Sequence, residues 1–219
     1  MSSTLRTLAR SARKKGWAVG PGSISQVQDE AKSLGWIEVP IRRGDPTVTT
    51  LRPTPRDKAR RNSLSAQYGM DAQPLHTDGA HLIRPPDIVI LIGETPNSTP
   101  TRLWQPLRLD DGVIQVPPEE VCHGVFLVRA GTDSFFATAY TERGYRYDPG
   151  CMTPGDARAR QAAAFFTEGQ KDAIDHHWDQ PNMILVINNA LVLHGRASAH
   201  ADPARELTRV SFHLGKEAP

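Results

Sequence analysis

The chain has 219 residues, 38% of them hydrophobic, and a formal net charge of +2, which suits one domain with a proper core and leaves too little for two. Two cysteines, Cys122 and Cys151, are too few for a disulfide framework or a multi-cysteine zinc site. No apolar run approaches the ~20 residues of a membrane span, and the basic N-terminus lacks the apolar stretch of a secretory signal, so a reducing, cytoplasmic setting is expected.

With 17 glycines and 18 prolines the sequence favours many short elements. Helices are predicted over 2–15 and 23–34, the second with Ser23 or Ser25 as cap and Gly35 at its stop. Alternation over 36–41 predicts a strand, and 48–51 another. A helix is predicted over 55–66, with Thr54 as cap and Pro55 at its first position. This part of the chain also carries Arg42, Arg43, Arg52, Arg56, Lys58, Arg60 and Arg61. Without interleaved aromatics they read as a solvated face, or a rim that attracts an anionic substrate, rather than a nucleic-acid surface. The apolar run 88–92 reads as a buried strand, and 124–128 with 134–138 as a hairpin turning at 130–133. The strongest helix signal is 155–174, with Ala162, Phe165, Phe166, Ala173 and Ile174 on its buried side. Strands over 183–187 and 206–214 close the pattern. Many short strands with few helices predict a mainly β fold with flanking α-helices, a sandwich or jelly roll, in a single domain without repeat or linker.

The segment Gln73-Pro74-Leu75-His76-Thr77-Asp78 carries the chemistry. In an extended chain His76 and Asp78 share one face and Thr77 turns away. His194, at the end of the apolar stretch 188–193, adds a second imidazole from a distant strand. Two imidazoles and one carboxylate on one face of a metal, with the opposite positions open, suit a non-haem Fe(II) oxygenase that binds a cosubstrate and O2. The same ligands suit zinc in a hydrolase, and a non-catalytic jelly-roll binding module is a third reading. The other histidines are poorer candidates. His123 reads as a strand start beside Cys122, His176 and His177 as a solvated helix end, and His200 as part of a polar loop. Along the last strand Arg205, Leu207, Arg209, Ser211 and His213 share a face, where His213 could line a barrel. Guanidinium groups bind carboxylates bidentately and stay charged, so Arg205 and Arg209 fit a dicarboxylate cosubstrate.

Taken in order, Leu64-Ser65, Tyr68-Gly69, Pro74-Leu75-His76-Thr77-Asp78, Pro85-Pro86-Asp87, residues 189–196 and residues 205–209 resemble the TauD/TfdA-like branch of the Fe(II)/2-oxoglutarate-dependent dioxygenases. Arg146-Tyr147-Asp148 resembles a recurring segment of this branch and of its clavaminate synthase-like relatives. The resemblance runs over about 36–214 and implies a double-stranded β-helix, a jelly roll, as the core. It implies His76, Asp78 and His194 as iron ligands and Arg205 as the anchor for the distal carboxylate of 2-oxoglutarate. Arg209 would lie near the metal-bound end or the substrate, and Thr101 would assist Arg205, although Thr99-Pro100 stands where a glycine pair is usual. Halogenating relatives replace the carboxylate ligand by a small residue, so Asp78 implies hydroxylation or another halide-free oxidation. Tyr68, Gln73, Arg146, Asn189 and His213 are the expected substrate contacts. The cofactors implied are Fe(II), 2-oxoglutarate and O2. The expected partner is a small molecule, not nucleic acid or membrane, and homo-oligomerisation is left open. The short stretch between His76 and His194 leaves little for a lid, which implies a small or partly exposed substrate or a lid from another subunit.

Overall fold

The computed structural model describes residues 4–107 and 116–215. Helices α1 (Thr4–Lys15) and α2 (Ile24–Ser33) flank β1 (Trp17–Pro21). Residues 2 and 3 of the first predicted helix lie outside the described residues. Ser23 caps α2 in a reciprocal box with Gln26, and Gly35 follows the helix at φ +69°. The strand predicted over 36–41 shrinks to β2 (Ile37–Glu38), because Pro40 has no N–H with which to continue a ladder. After β3 (Val48–Leu51) the helix predicted over 55–66 does not form. The chain makes a 3-10 turn at Arg56–Lys58 and then α3 (Leu64–Tyr68). Ser63 causes the break: its hydroxyl donates to Arg60 O and accepts from the Ala66 N–H, which starts a new helix.

Strands β4 (Gln73–His76), β5 (Ile88–Gly93) and β6 (Asn97–Trp104) come next. Helix α4 (Glu119–His123) precedes the predicted hairpin, β7 (Phe126–Ala130) and β8 (Asp133–Ala137), so His123 ends a helix rather than starting a strand. A small ribbon, β9 (Tyr140–Thr141) and β10 (Gly144–Tyr145), leads to β11 (Met152–Pro154) and α5 (Ala157–Glu168). The long predicted helix ends early. After a 3-10 turn Ile174 opens β12 (Ile174–Trp178), so Ile174 is 40% exposed and His176 and His177 lie on a strand, not at a helix end. The chain closes with β13 (Met183–Asn188), β14 (Leu193–Arg196) and β15 (Leu207–His213).

Two antiparallel sheets make the jelly roll. One runs β1-β13-β5-β15-β2, with β3 pairing farther along β15; the other runs β12-β6-β14-β4. The sheet therefore begins at Trp17, earlier than the expected core boundary near residue 36. Strand β5 shows how the layers form. Ile88, Ile90 and Ile92 pack outward with Leu5, Val27 and Ala31 of the two N-terminal helices. Val89 and Leu91 pack inward with Leu185, Ile187, Leu103 and Trp178 between the sheets. Both faces are buried, which is why the run is uninterrupted in the sequence. The three-stranded sheet β11-β7-β8 and α5 cover the outer face of the smaller main sheet, and Leu75 and Leu193 reach into that cluster. Their neighbours His76 and His194 consequently point to the interior. No helix among the described residues is long and apolar enough to cross a membrane.

Candidate metal centre

Strands β14 and β4 pair with His194 opposite His76, which brings the ring centroids to 4.8 Å. Asp78 lies just beyond the end of β4. Its Oδ1 is 3.6 Å from His76 Nε2 and its Oδ2 is 3.8 Å from His194 Nε2. One ligand atom from each residue falls within 4.8 Å of the others. Strand alternation alone does not fix Asp78. Asn189, wholly buried, accepts from the Asp78 N–H at 3.1 Å and donates to Asp78 O at 3.0 Å and Pro86 O at 2.8 Å. Gly79 then turns the chain at φ +69°, where a Cβ would meet Pro86 Cδ at 2.8 Å. Thr77 points away and exchanges hydrogen bonds with the Tyr147 backbone. His194 does not end one continuous strand over 188–193. The chain turns after Asn188, whose carbonyl accepts from the Leu191 and Val192 N–H groups, and crosses to the opposite sheet.

The electrostatics suit a cation. His76 Nδ1 lies 3.0 Å from Pro74 O, an acceptor only, so Nδ1 carries a proton and Nε2 is the atom turned to Asp78. His194 Nδ1 is buried without a hydrogen-bond partner among the described residues, and burial pushes the His194 pKa down to about 3. At His76 burial works in the same direction, but hydrogen bonding to Asp78 and the charges of Asp148 and Asp78 outweigh it and raise the pKa. Burial opposes the Asp78 carboxylate, yet Arg209 and the two imidazoles hold it well below the usual carboxylate range. Arg209 Nη1 donates to both Asp78 oxygens, at 3.1 and 3.2 Å. A neutral imidazole, an imidazole of fixed tautomer and a firmly ionised carboxylate are a donor set that fits a divalent metal.

Arg205 lies in the turn before β15 rather than in the strand itself, and is 5% exposed. Its Nε donates to Thr99 O and its Nη2 to Thr101 Oγ1, both at 3.1 Å. Thr101 Oγ1 also accepts from Trp178 Nε1 at 3.0 Å, so the threonine is in contact with Arg205 despite the Thr99-Pro100 departure. Burial and the nearby Arg196 charge push the Arg205 pKa down to about 10, which leaves it cationic at neutral pH.

The remaining candidates disperse. Tyr68, half-buried at the end of α3, has its pKa raised by burial and by Asp148. Gln73 Nε2 donates to Ser65 Oγ. Arg146 donates to the carbonyls of Ala80, Leu82 and Ile83 and lies over the Phe135 ring, so its guanidinium clamps the loop after Gly79. Asn189 has its amide engaged by Asp78 and Pro86. His213 lies 3.7 Å from Asp87, outside the cluster of three. Sequence reasoning missed Asp148 and Arg42. The charge of Asp148 reaches His76, Tyr68 and Arg42, and that of Arg42 reaches Arg209. Asp148 belongs to a segment already singled out, whereas Arg42 carries no signal beyond the basic stretch. That stretch runs beside the segments before and after β4: Ile41 O contacts His81 Nε2, and the Arg56 stem lies against Gly69. Arg52, Arg56 and Arg60 pair with Glu206, Asp71 and Asp45.

No protein-family model matches this chain, and no curated protein matches it in sequence. Solved structures do match. An asparagine oxygenase in complex with Fe(II), 2S,3S-3-hydroxyasparagine and succinate aligns at TM-score 0.69 and 16% identity, over 95% of this chain and 78% of that one. The non-haem iron oxygenase OrfP in complex with Fe and alpha-ketoglutaric acid aligns at 0.67 and 19% identity, over 97% and 79%. PvcB from Pseudomonas aeruginosa aligns at 0.64 and 15%, over 96% and 80%. The chain shares the jelly-roll fold of these proteins.

Proposed function

We propose that this chain works as a single-domain, TauD/TfdA-like Fe(II)/2-oxoglutarate-dependent dioxygenase that hydroxylates an unactivated C–H bond of a small molecule. One observation carries the reading: two imidazoles and a carboxylate converge within 4.8 Å in an interior that also holds Arg205, whose side chain bonds, among the described residues, a carbonyl and a hydroxyl. His76, Asp78 and His194 would hold ferrous iron, and Arg205 with Thr101 the far carboxylate of 2-oxoglutarate. Iron bound there with 2-oxoglutarate and O2 supplies the oxidation, with succinate and CO2 as coproducts. The protein's own contribution is positional. Asn189 fixes Asp78, the Pro74 carbonyl keeps the His76 Nε2 lone pair available, and Arg209 keeps the Asp78 carboxylate ionised. Leu103, buried and in register with His194, sets an apolar side chain beside the imidazole. The buried guanidinium favours this reading over a zinc hydrolase, which has no use for it.

Asparagine oxygenase and OrfP are solved with a hydroxyasparagine and a hydroxyarginine. Amino-acid-sized polar molecules therefore lead the substrate candidates. The unpaired Cys122 and Cys151 suit a reducing compartment. Anaerobic addition of Fe(II) and 2-oxoglutarate tests the proposal. A weak visible charge-transfer band should develop with the wild type, and succinate should form once O2 is admitted. No band, or one undiminished in His194→Ala, overturns the ligand assignment.

A further inference from the structure

Arg196 stands two residues after His194 on β14, so the two side chains share the interior face. Across the ladder it is in register with Thr101, the residue that receives Arg205. It is 7% exposed. Its Nη2 donates to Gly69 O at 2.8 Å and Asp71 O at 2.9 Å, whereas its Nη1 is buried with no hydrogen-bond partner among the described residues. Arg205 is equally enclosed, and its hydrogen bonds also go to neutral oxygens. Arg205 feels the charge of Arg196, and both are buried beside Thr101, one bonded to its hydroxyl and the other in register with it across the ladder. Asp71 and Asp202 supply some opposing charge, but their carboxylates bond Arg56, His200 and Ser98 instead. Such a pair is costly unless an anion reaches it directly.

We propose that Arg196 is a second cationic contact for the distal carboxylate of the keto-acid cosubstrate, acting with Arg205 and Thr101. The proposal rests on the oxygenase reading above. It explains why Nη1 is left without a partner among the described residues while Nη2 is fixed by two carbonyls. It also gives the pocket a chemical preference. A dicarboxylate keto acid gains both arginines, whereas a monocarboxylate keto acid of similar head group gains neither.

The test compares anaerobic binding of 2-oxoglutarate and 2-oxobutyrate to the full chain loaded with Mn(II), by calorimetry. Arg196→Gln should weaken 2-oxoglutarate by about 10- to 100-fold, the range of one charge-assisted hydrogen bond, and leave 2-oxobutyrate within about twofold. Arg196→Lys keeps the charge but not the fork, so it should show a smaller loss with the same selectivity, and it serves as the readout if the glutamine variant does not fold. Equal weakening of both keto acids, or no change in either, overturns the proposal and leaves Arg196 only as the clamp on residues 69–71. Wild-type protein that binds neither keto acid would instead sink the oxygenase reading itself, and this proposal with it.

Discussion

The space between the two main sheets has an apolar half and a polar half, built by the same strands. Val89, Leu91, Leu185 and Ile187 meet Leu103 and Trp178 in the first. His76, His194, Arg196, Thr101, Arg205 and Arg209 gather in the second. Strand β15 contributes to both, with Leu207 in the apolar cluster and Arg209 on the Asp78 carboxylate. The polar half holds buried atoms without hydrogen-bond partners among the described residues: His194 Nδ1, Arg196 Nη1, Arg209 Nε and Ser211 Oγ. Unpartnered buried polar groups cost stability. One half therefore stabilises the fold, and the other carries a cost that a metal and an anion would offset.

The largest effect expected from this contrast is in the apolar half. Ile187 is fully buried, so Ile187→Ala should cost about 2–5 kcal/mol in denaturant unfolding, and Mn(II) should still raise the melting temperature of the variant. His194→Ala should destabilise the metal-free protein less than Ile187→Ala does, yet abolish the metal-induced rise. The reverse ranking would mean that the two halves are not divided as described.

Acid should act on the polar half. The folded His194 pKa, about 3, lies below its ordinary 6.5, and that of Asp78 lies below 3.8. Between the folded and unfolded values the unfolded chain binds more protons, so stability rises with pH in both windows. His76 is shifted the other way; its contribution is present below pH 6.5 and fades as pH rises through its higher folded value. The metal-free protein should therefore lose stability from about pH 6.5 downward, first through His194 and then, below about 4, through Asp78. Denaturant melts across this range should show a shallower slope for His194→Ala, and an unchanged slope would remove His194 as the cause.

The same contrast explains what the sequence makes legible. Strands β5 and β13 are buried on both faces and read as unbroken apolar runs. Strands β6, β12 and β14 carry polar residues on an interior face, so Asn97–Trp104, with Pro100 inside it, and Ile174–Trp178, with two histidines, do not look like core strands. At the site, the spacing of His76 and Asp78 is a local signal. The residue that holds Asp78 in place, Asn189, is 111 positions away and has no spacing that marks it. Arg146 shows the opposite failure: its segment is recognisable, but its three carbonyl partners exist only once the loop after Gly79 has folded. The false helix over 55–66 has a genuine start signal in Pro55, which the cap at Ser63 overrides.

The smallest effects separate satisfied from unsatisfied hydroxyls within the polar half. Thr101 and Ser211 are both 1% exposed. The Thr101 hydroxyl accepts from Arg205 and Trp178, so Thr101→Val keeps the shape and strands two buried donors, at a cost of about 1–3 kcal/mol. The Ser211 hydroxyl has no partner among the described residues, while the Ser211 carbonyl accepts from the Val39 N–H. Ser211→Ala leaves that backbone bond in place and deletes only the unpartnered oxygen. It should shift stability by less than about 1 kcal/mol, toward greater stability, because a desolvated polar group is removed without loss of any bond. Denaturant unfolding of the two variants side by side measures the difference. A Ser211→Ala protein destabilised as much as Thr101→Val would mean that the Ser211 hydroxyl has a bonded partner after all, and the polar half would then have to be redrawn as satisfied along β15.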